Sequence, residues 1–315
     1  PDLVIADSLI QSAGPAALEC GARWWTSLAS IPSMEVRGGT PSYVGGWRQR
    51  SGLGWRLRDA AGRSGVRNFK RLAGRLVRDE LRGIGLDAVY RADGSEACYS
   101  AECILGLGVR ELEFPRQSWP AALQFVGPVL ESPTRREDLA QLEPGVRHVL
   151  ITLGTHLVWA KDRGLGLAIE LGRELGRGRD RWVVHFSRGD VHGTIEREVA
   201  PGVMEHSYVP YGAGLARFDA VVHHGGAGVM YSTLGAGVPA LVWPHDFVQF
   251  DHAARLVQKG LALRAPKSAR AVARRLRRLV DEPEWRQRCG AFSEGLRLMD
   301  PGGRVAELLS EAVGT

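Results

Sequence analysis

From His148 onward the chain repeats one pattern: a short apolar run, then small or polar residues, then a stretch of helical length. The runs are HVLITLG (148–154), RWVVHFS (181–187), HSYVP (206–210), DAVVHHG (219–225), PALVWP (239–244) and LALRAP (261–266). Short β-branched runs alternating with helical segments predict βαβ units and a parallel sheet covered on both faces, which is a doubly wound α/β domain. Ligands of such sheets bind beyond the carboxyl ends of the strands. Two loops are thereby singled out, Leu153-Gly154-Thr155 after HVLI and His223 to Gly228 after DAVV.

The pattern is weaker before residue 145. PDLVIADS, a helix through AALECG, and RWWTSLAS predict one β-α-β passage, followed by a long loop from Ile31 to Trp55 that carries Tyr43, Trp47 and Trp55. Loops of that length are more often functional than idle. A helix is expected at about 56–82; QFVGPV (124–129) ends this half, and ESPTRREDLAQLEPG (131–145) reads as a linker. The expected organisation is therefore an N-terminal domain over 1–130, a linker over 131–145 and a second domain over 146–315.

Length and composition agree with two globular domains. The chain has 315 residues, 44% of them hydrophobic, and no apolar run of 18 residues that would span a bilayer. Net charge is +6, and all but four of the 41 basic residues are arginine. The arginines are spread along the chain rather than massed, which argues against nucleic acid as a partner. The densest run, Ala269 to Val280, places Val272, Leu276, Leu279 and Val280 on one face of an amphipathic helix. Cys20, Cys98, Cys103 and Cys289 form no CxxC pair and no zinc spacing, so free thiols in a reducing cytoplasm are expected. PDLVIADSL reads as a buried strand entering a helix, with no signal peptide ahead of it.

The second loop carries the candidate chemistry. HHGGAG places Gly225, Gly226 and Gly228 beside two imidazoles at the start of a helix. Bare backbone lets amides approach an anion closely, and a helix N-terminus offers unpaired N–H groups with a positive dipole end. GLGLAI, GAGLAR and GGAGVM each lack the last glycine of a dinucleotide fingerprint; there is no GK[ST], HExxH, GxSxG or DxD. Without a metal, a departing diphosphate has to be stabilised by amides, a helix end and polar side chains.

HHGGAG, then GVP, then P-x-x-x-x-Q with Ala253 beyond it, resembles the donor-binding signature of GT-B nucleotide-sugar glycosyltransferases, in the branch of plant UDP-glycosyltransferases and bacterial antibiotic (macrolide) glycosyltransferases. ITLGT (151–155), YVP (208–210) and QFVGPV match further segments of that family. The resemblance implies two Rossmann-like domains facing a cleft, with an incomplete N-terminal one, since roughly a hundred residues would precede Pro1 in a complete half.

It also implies roles. Tyr208 would stack on the nucleobase and the Val209 backbone would read its edge; His224 would face the diphosphate, with Gly225, Gly226, Ala227, Gly228 and Val229 forming the loop behind it. Thr155 would add a hydroxyl to the phosphates, and Gln249 would hold sugar hydroxyls. Asp7 matches the aspartate that orients a histidine base, and none of the nine histidines fits that base. Structural alternatives stay open: Tyr208 as a core aromatic, Thr155 and Asp7 as helix caps, His223 as a packed or capping histidine.

Three positions depart from the family. Val229 stands where Ser or Thr is common, Ser232 where Glu takes the ribose, and Val248 where an acid holds the sugar, a role that nearby Asp246 would partly fill. Each lost charged hydrogen bond would cost about 1.5–3 kcal/mol. Trp24, Trp25, Tyr43, Trp47 and Trp55 suit a flat apolar acceptor or are ordinary core and loop aromatics. The expected function is inverting transfer of a hexose from a UDP- or dTDP-sugar to a hydroxyl of a small hydrophobic natural-product aglycone, without metal or other cofactor, in a cytoplasmic protein that allows a homodimer. The alternatives are a nucleotide-sugar epimerase on the same fold and a non-catalytic, glycosyltransferase-like partner protein.

Overall fold

The computed structural model describes residues 1–130 and 142–313, so most of the expected linker, 131–141, lies outside the described residues. The chain divides into two units, Pro1–Val129 with Met299–Thr315, and Leu130–Leu298.

The first unit opens with the β-α-β passage that the sequence predicts: β1 (Leu3–Asp7), α1 (Ala13–Glu19) and β2 (Arg23–Leu28). The expected helix at 56–82 forms as α2 (Leu53–Leu76) and α3 (Arg78–Gly83), broken at Val77, whose φ of −110° and ψ of 34° leave the helical region. Strands β3 (Cys103–Gly106) and β4 (Leu123–Phe125) complete a sheet of order β1-β2-β3-β4, parallel throughout. Trp24 and Trp25 are core residues of this unit, which removes them as acceptor contacts. Trp24 packs so closely on α1 that a Cβ at Gly14 would lie 2.5 Å from its ring.

The second unit runs β5 (Arg147–Thr152), α4 (Lys161–Leu175), β6 (Trp182–Ser187), β7 (Glu196–Ala200), β8 (Val203–His206), α5 (Tyr211–Gly214), β9 (Ala220–His223), α6 (Ala227–Gly235), β10 (Ala240–Val242), α7 (Phe247–Gln258), β11 (Ala262–Arg264), α8 (Ala269–Asp281) and α9 (Pro283–Arg297). Its strand order is β11-β10-β9-β5-β6-β8-β7. All pairs are parallel except β7–β8. Polar, exposed EREVA gives no apolar run, so edge strand β7 is absent from the sequence pattern. The strand expected at HSYVP ends at His206, leaving Tyr208 to Pro210 in the loop beyond it.

Alternation along the strands sorts the core into two layers. Val149 and Ile151 of β5 face α4 and α8, meeting Ala168, Leu171, Val272 and Leu276, whereas Leu150 faces Val209, Leu215 and Phe218. A fully buried Leu or Val contributes about 1.5–3 kcal/mol. The basic run at 269–280 thus forms α8, with its apolar face in the core.

The last helix, α10 (Pro301–Val313), departs from the expected boundary. It belongs to the first unit, where Val305, Leu308 and Leu309 pack on Trp25, Cys103 and Leu105. The apolar face of β2 and β3 needs a cover, and the chain returns to supply it. Leu308→Ala should therefore lower the stability of the first unit by about 2–5 kcal/mol, seen as a downward shift of its melting transition with the second unit unchanged.

Candidate active site

In the second sheet the chain builds β5, β6 and β8 outward to one side, then returns to place β9, β10 and β11 on the other. Strands β5 and β9 are therefore the topological switch point, where the two loops at the carboxyl edge diverge and leave room for a ligand. Thr152 pairs with His223 at the ends of these strands. The loops named from sequence, 153–155 and 224–228, start there.

His224 holds these loops together. Gly154, at φ +66°, lies against its imidazole: a Cβ there would stand 2.8 Å from Cε1. From the other side, a Cβ on Gly226 would lie 2.3 Å from Nε2. Only glycine leaves space for the ring at both positions. The ring is buried, and its Nδ1 has no hydrogen-bond partner among the described residues. Burial, with lesser contributions from Lys161, His245 and His252, lowers its pKa to about 4 against a pull upward from the Thr152 backbone. At neutral pH it is an uncharged imidazole.

Gly225 supplies geometry rather than an amide. At φ +93° a Cβ would meet Val242 Cγ1 at 3.0 Å and the Gln249 carbonyl at 3.2 Å. Its N–H donates to His223 Nδ1 at 3.1 Å, and its carbonyl oxygen lies 2.7 Å from His252 Nδ1. His223 and His252 are both buried, which lowers their pKa values to about 3 and about 4. Thus His223 is the packed, capping histidine.

Gly226 is the N-cap of α6 and contributes no side-chain cap, and no acid lies in the first turn. Ala227, Gly228 and Val229 are the first three helical residues, so their amides lack intrahelical acceptors. Gly228 is exposed, with open space where a Cβ would be. Val229 is turned into the core, and Ser232 and Val248 are half-buried.

The remaining residues surround this edge. Thr155 is exposed, and the N-cap of α4 is Ala160, so Thr155 is not the cap. Thr152 occupies the more structural position, its hydroxyl accepting from the Gly154 amide at 3.2 Å and bonding the Tyr211 hydroxyl at 2.9 Å. Tyr208 is half-buried, its ring 6.4 Å from that of Tyr211, and Val209 is buried in the core. Gln249 Oε1 accepts from the amides of His245 and Asp246, at 2.9 and 3.1 Å, leaving its amide nitrogen as the group for a ligand. Asp246 is exposed. Lys161 was not apparent from sequence: it is buried, donates to the Gly154 carbonyl, and has a pKa lowered to about 8 by burial and Arg188.

In the first unit, Asp7 ends β1 and accepts from the Leu9 amide at 2.8 Å, a local turn contact. Tyr43 is exposed at φ +64° and donates to the Ser33 carbonyl at 3.1 Å. Trp47 and Trp55 flank the Arg58 guanidinium, 4.5 and 4.8 Å from their ring centres. No group of side chains suited to a metal ion occurs among the described residues.

Residues 174–301 match the Erythromycin biosynthesis protein CIII-like, C-terminal domain family. Over the fold, the glycotransferase of kitacinnamycin superposes on 99% of this chain and 76% of its own, with a TM-score of 0.71 at 21% identity. The chain has the GT-B fold, shared with this glycosyltransferase structure. Glycosyltransferase VinC, solved in complex with dTDP, gives a TM-score of 0.61 at 22% identity over 100% of this chain and 73% of its own. In sequence, 4'-demethylrebeccamycin synthase of Lentzea aerocolonigenes is 28% identical over 84% of this chain and 65% of its own length. The chain spans 41% to 65% of the length of the first curated relatives that it matches. No helix among the described residues is long and apolar enough to cross a membrane.

A second histidine row lies on the same sheet. His148 Nδ1 is 3.0 Å from His185 Nε2, and His185 Nδ1 is 2.9 Å from His206 Nε2. Burial lowers the pKa of His185 to about 3 and pushes His206 down as well. Histidines with depressed folded-state pKa values stay neutral when folded but take up protons when unfolded near pH 6.5, so the unfolded state binds more protons as pH falls. The second unit should be most stable above about pH 6.5 and lose stability progressively toward pH 4, which thermal melts at stepped pH would detect. His185→Asn should flatten part of that slope.

Proposed function

We propose that this chain is a glycosyltransferase that moves a hexose from a dTDP- or UDP-sugar to a hydroxyl of a small hydrophobic natural product. The observation that carries the reading is the uncapped N-terminus of α6, with His224 wedged between Gly154 and Gly226 at the sheet's switch point. That geometry suits the charge of a leaving nucleoside diphosphate. The dTDP seen in VinC adds support for the thymidine nucleotide.

In inverting transfer a base removes the acceptor proton while the hydroxyl oxygen attacks the anomeric carbon and the nucleoside diphosphate departs. Negative charge grows on the β-phosphate oxygens, where the amides of Ala227 and Gly228 and the dipole end of α6 stabilise it without reorganising. An arriving anion favours imidazolium, so the diphosphate would raise the pKa of His224 and strengthen its contact. Tyr208 would stack on the base beside the Val209 backbone, Thr155 would reach the phosphates, and Gln249 and Asp246 would hold the sugar. Asp7 stands where the family orients its base, though no histidine of this sequence fills the base's place, and Tyr43, Trp47 and Trp55 would contact the acceptor. The donor site in this reading works without a metal ion.

Calorimetric titration with dTDP, UDP and GDP tests it. One nucleotide, dTDP by preference, should bind in the micromolar range, and His224→Ala should weaken it by about tenfold or more, the equivalent of one charge-assisted hydrogen bond. Gly226→Ala should also weaken it, because its methyl displaces the imidazole. A folded chain that binds no nucleotide would reject the donor site.

A second reading has its own support. Val229 is buried in the core, Ser232 and Val248 carry no charge, and the Gln249 carbonyl is spent on its own helix N-terminus. These favour a glycosyltransferase-like partner that acts on another protein, and failure to bind any nucleotide would bring it forward.

A further inference from the structure

We propose that α2 docks the protein on the surface of an anionic phospholipid bilayer. The helix is unusual in charge: from Leu53 to Leu76 it carries seven cations and one carboxylate, Asp59, which is buried; Arg78 opens α3, ahead of Asp79 and Glu80. The inward cations are engaged. Arg58 pairs with Asp59, Arg63 donates to the Gly39 carbonyl, Arg67 donates to the Gly94 carbonyl, and Lys70 bonds Glu96 at 2.6 Å. The outward ones are not: Arg75 and Arg78 have no ion-pair partner among the described residues.

Beside these arginines the helix leaves an apolar stripe in water. Phe69, Leu72 and Leu76 follow the i, i+3, i+7 spacing of one helix face and are 71%, 56% and 78% exposed. A lone exposed leucine needs no explanation, but three large side chains on successive turns form a patch. Arg71 and Arg75, also one turn apart, line the adjacent flank of the helix, with Arg78 at the start of α3 beyond them.

That flank is concave. Arg71, Arg75, Arg78 and Arg91, with Tyr90, line a groove of about 490 Å³ in which Asp87 is the one carboxylate. Guanidinium groups bind phosphate oxygens with fixed, bidentate geometry. A row of phosphates next to an apolar layer is the surface of a phospholipid bilayer, and a cationic amphipathic helix lies in it with its apolar face at the acyl boundary. Charge complementarity thus selects an anionic lipid surface over a neutral one. No membrane crossing is involved.

Flotation of the 315-residue chain with vesicles tests the proposal. It should bind vesicles containing phosphatidylglycerol, leave vesicles of phosphatidylcholine alone unbound, and dissociate as salt is raised. Both Phe69→Ser/Leu72→Ser/Leu76→Ser and Arg75→Glu/Arg78→Glu alter exposed residues, and each should lower binding by at least about tenfold with an unchanged melting curve. Absence of binding to the anionic vesicles would overturn the proposal, as would binding that the apolar triple variant leaves intact. Release by millimolar glycerol phosphate would assign the groove to a free phosphate ester instead. Retention on polyglutamate without vesicle binding would assign the helix to an acidic protein.

Discussion

The site depends on one packing constraint, an imidazole held where two glycines leave no Cβ. His224 fills the space between Gly154 and Gly226, and a methyl group at either would stand 2.8 or 2.3 Å from the ring. Close-packed interiors do not absorb such overlaps cheaply, so the glycines, the ring and both loop conformations are specified together. Gly225 completes the arrangement, because its backbone groups are taken by His223 and His252. The first helix turn of α6 is then presented without a cap of its own.

Charge follows from the same packing. Six histidines of the second unit, His185, His206, His223, His224, His245 and His252, have pKa values lowered chiefly by burial and are neutral at physiological pH. These rings are therefore buried without a charge of their own, which would be far more costly. Lys161 is a buried group beside this loop that does carry charge: its ammonium is held against the Gly154 carbonyl, its pKa lowered to about 8. It keeps a cation behind the loop, where a bound diphosphate would welcome one.

Much of this was legible in the sequence because short apolar runs and glycines are local signals. HVLITLG and DAVVHHG marked β5 and β9, and HHGGAG marked the start of α6. What escaped was set by distant partners. EREVA pairs at the sheet edge through its backbone, which no side-chain pattern announces. The C-terminal helix looks like a continuation of the second unit, but it packs on Trp25 and Leu105, residues separated from it by most of the chain. The use of Gln249 as a cap for residues 245–246, and of Lys161 as a strut for Gly154, are tertiary facts of the same kind.

The central claim is that the first turn of α6 and His224 receive a nucleoside diphosphate. Backbone amide NMR of the isotopically labelled protein, titrated with dTDP, tests it at the atoms concerned. The account predicts the largest amide shifts at Ala227 and Gly228, with ring signals of His224 moving toward the imidazolium position. Saturable binding that leaves those amides unmoved and perturbs another surface would contradict it.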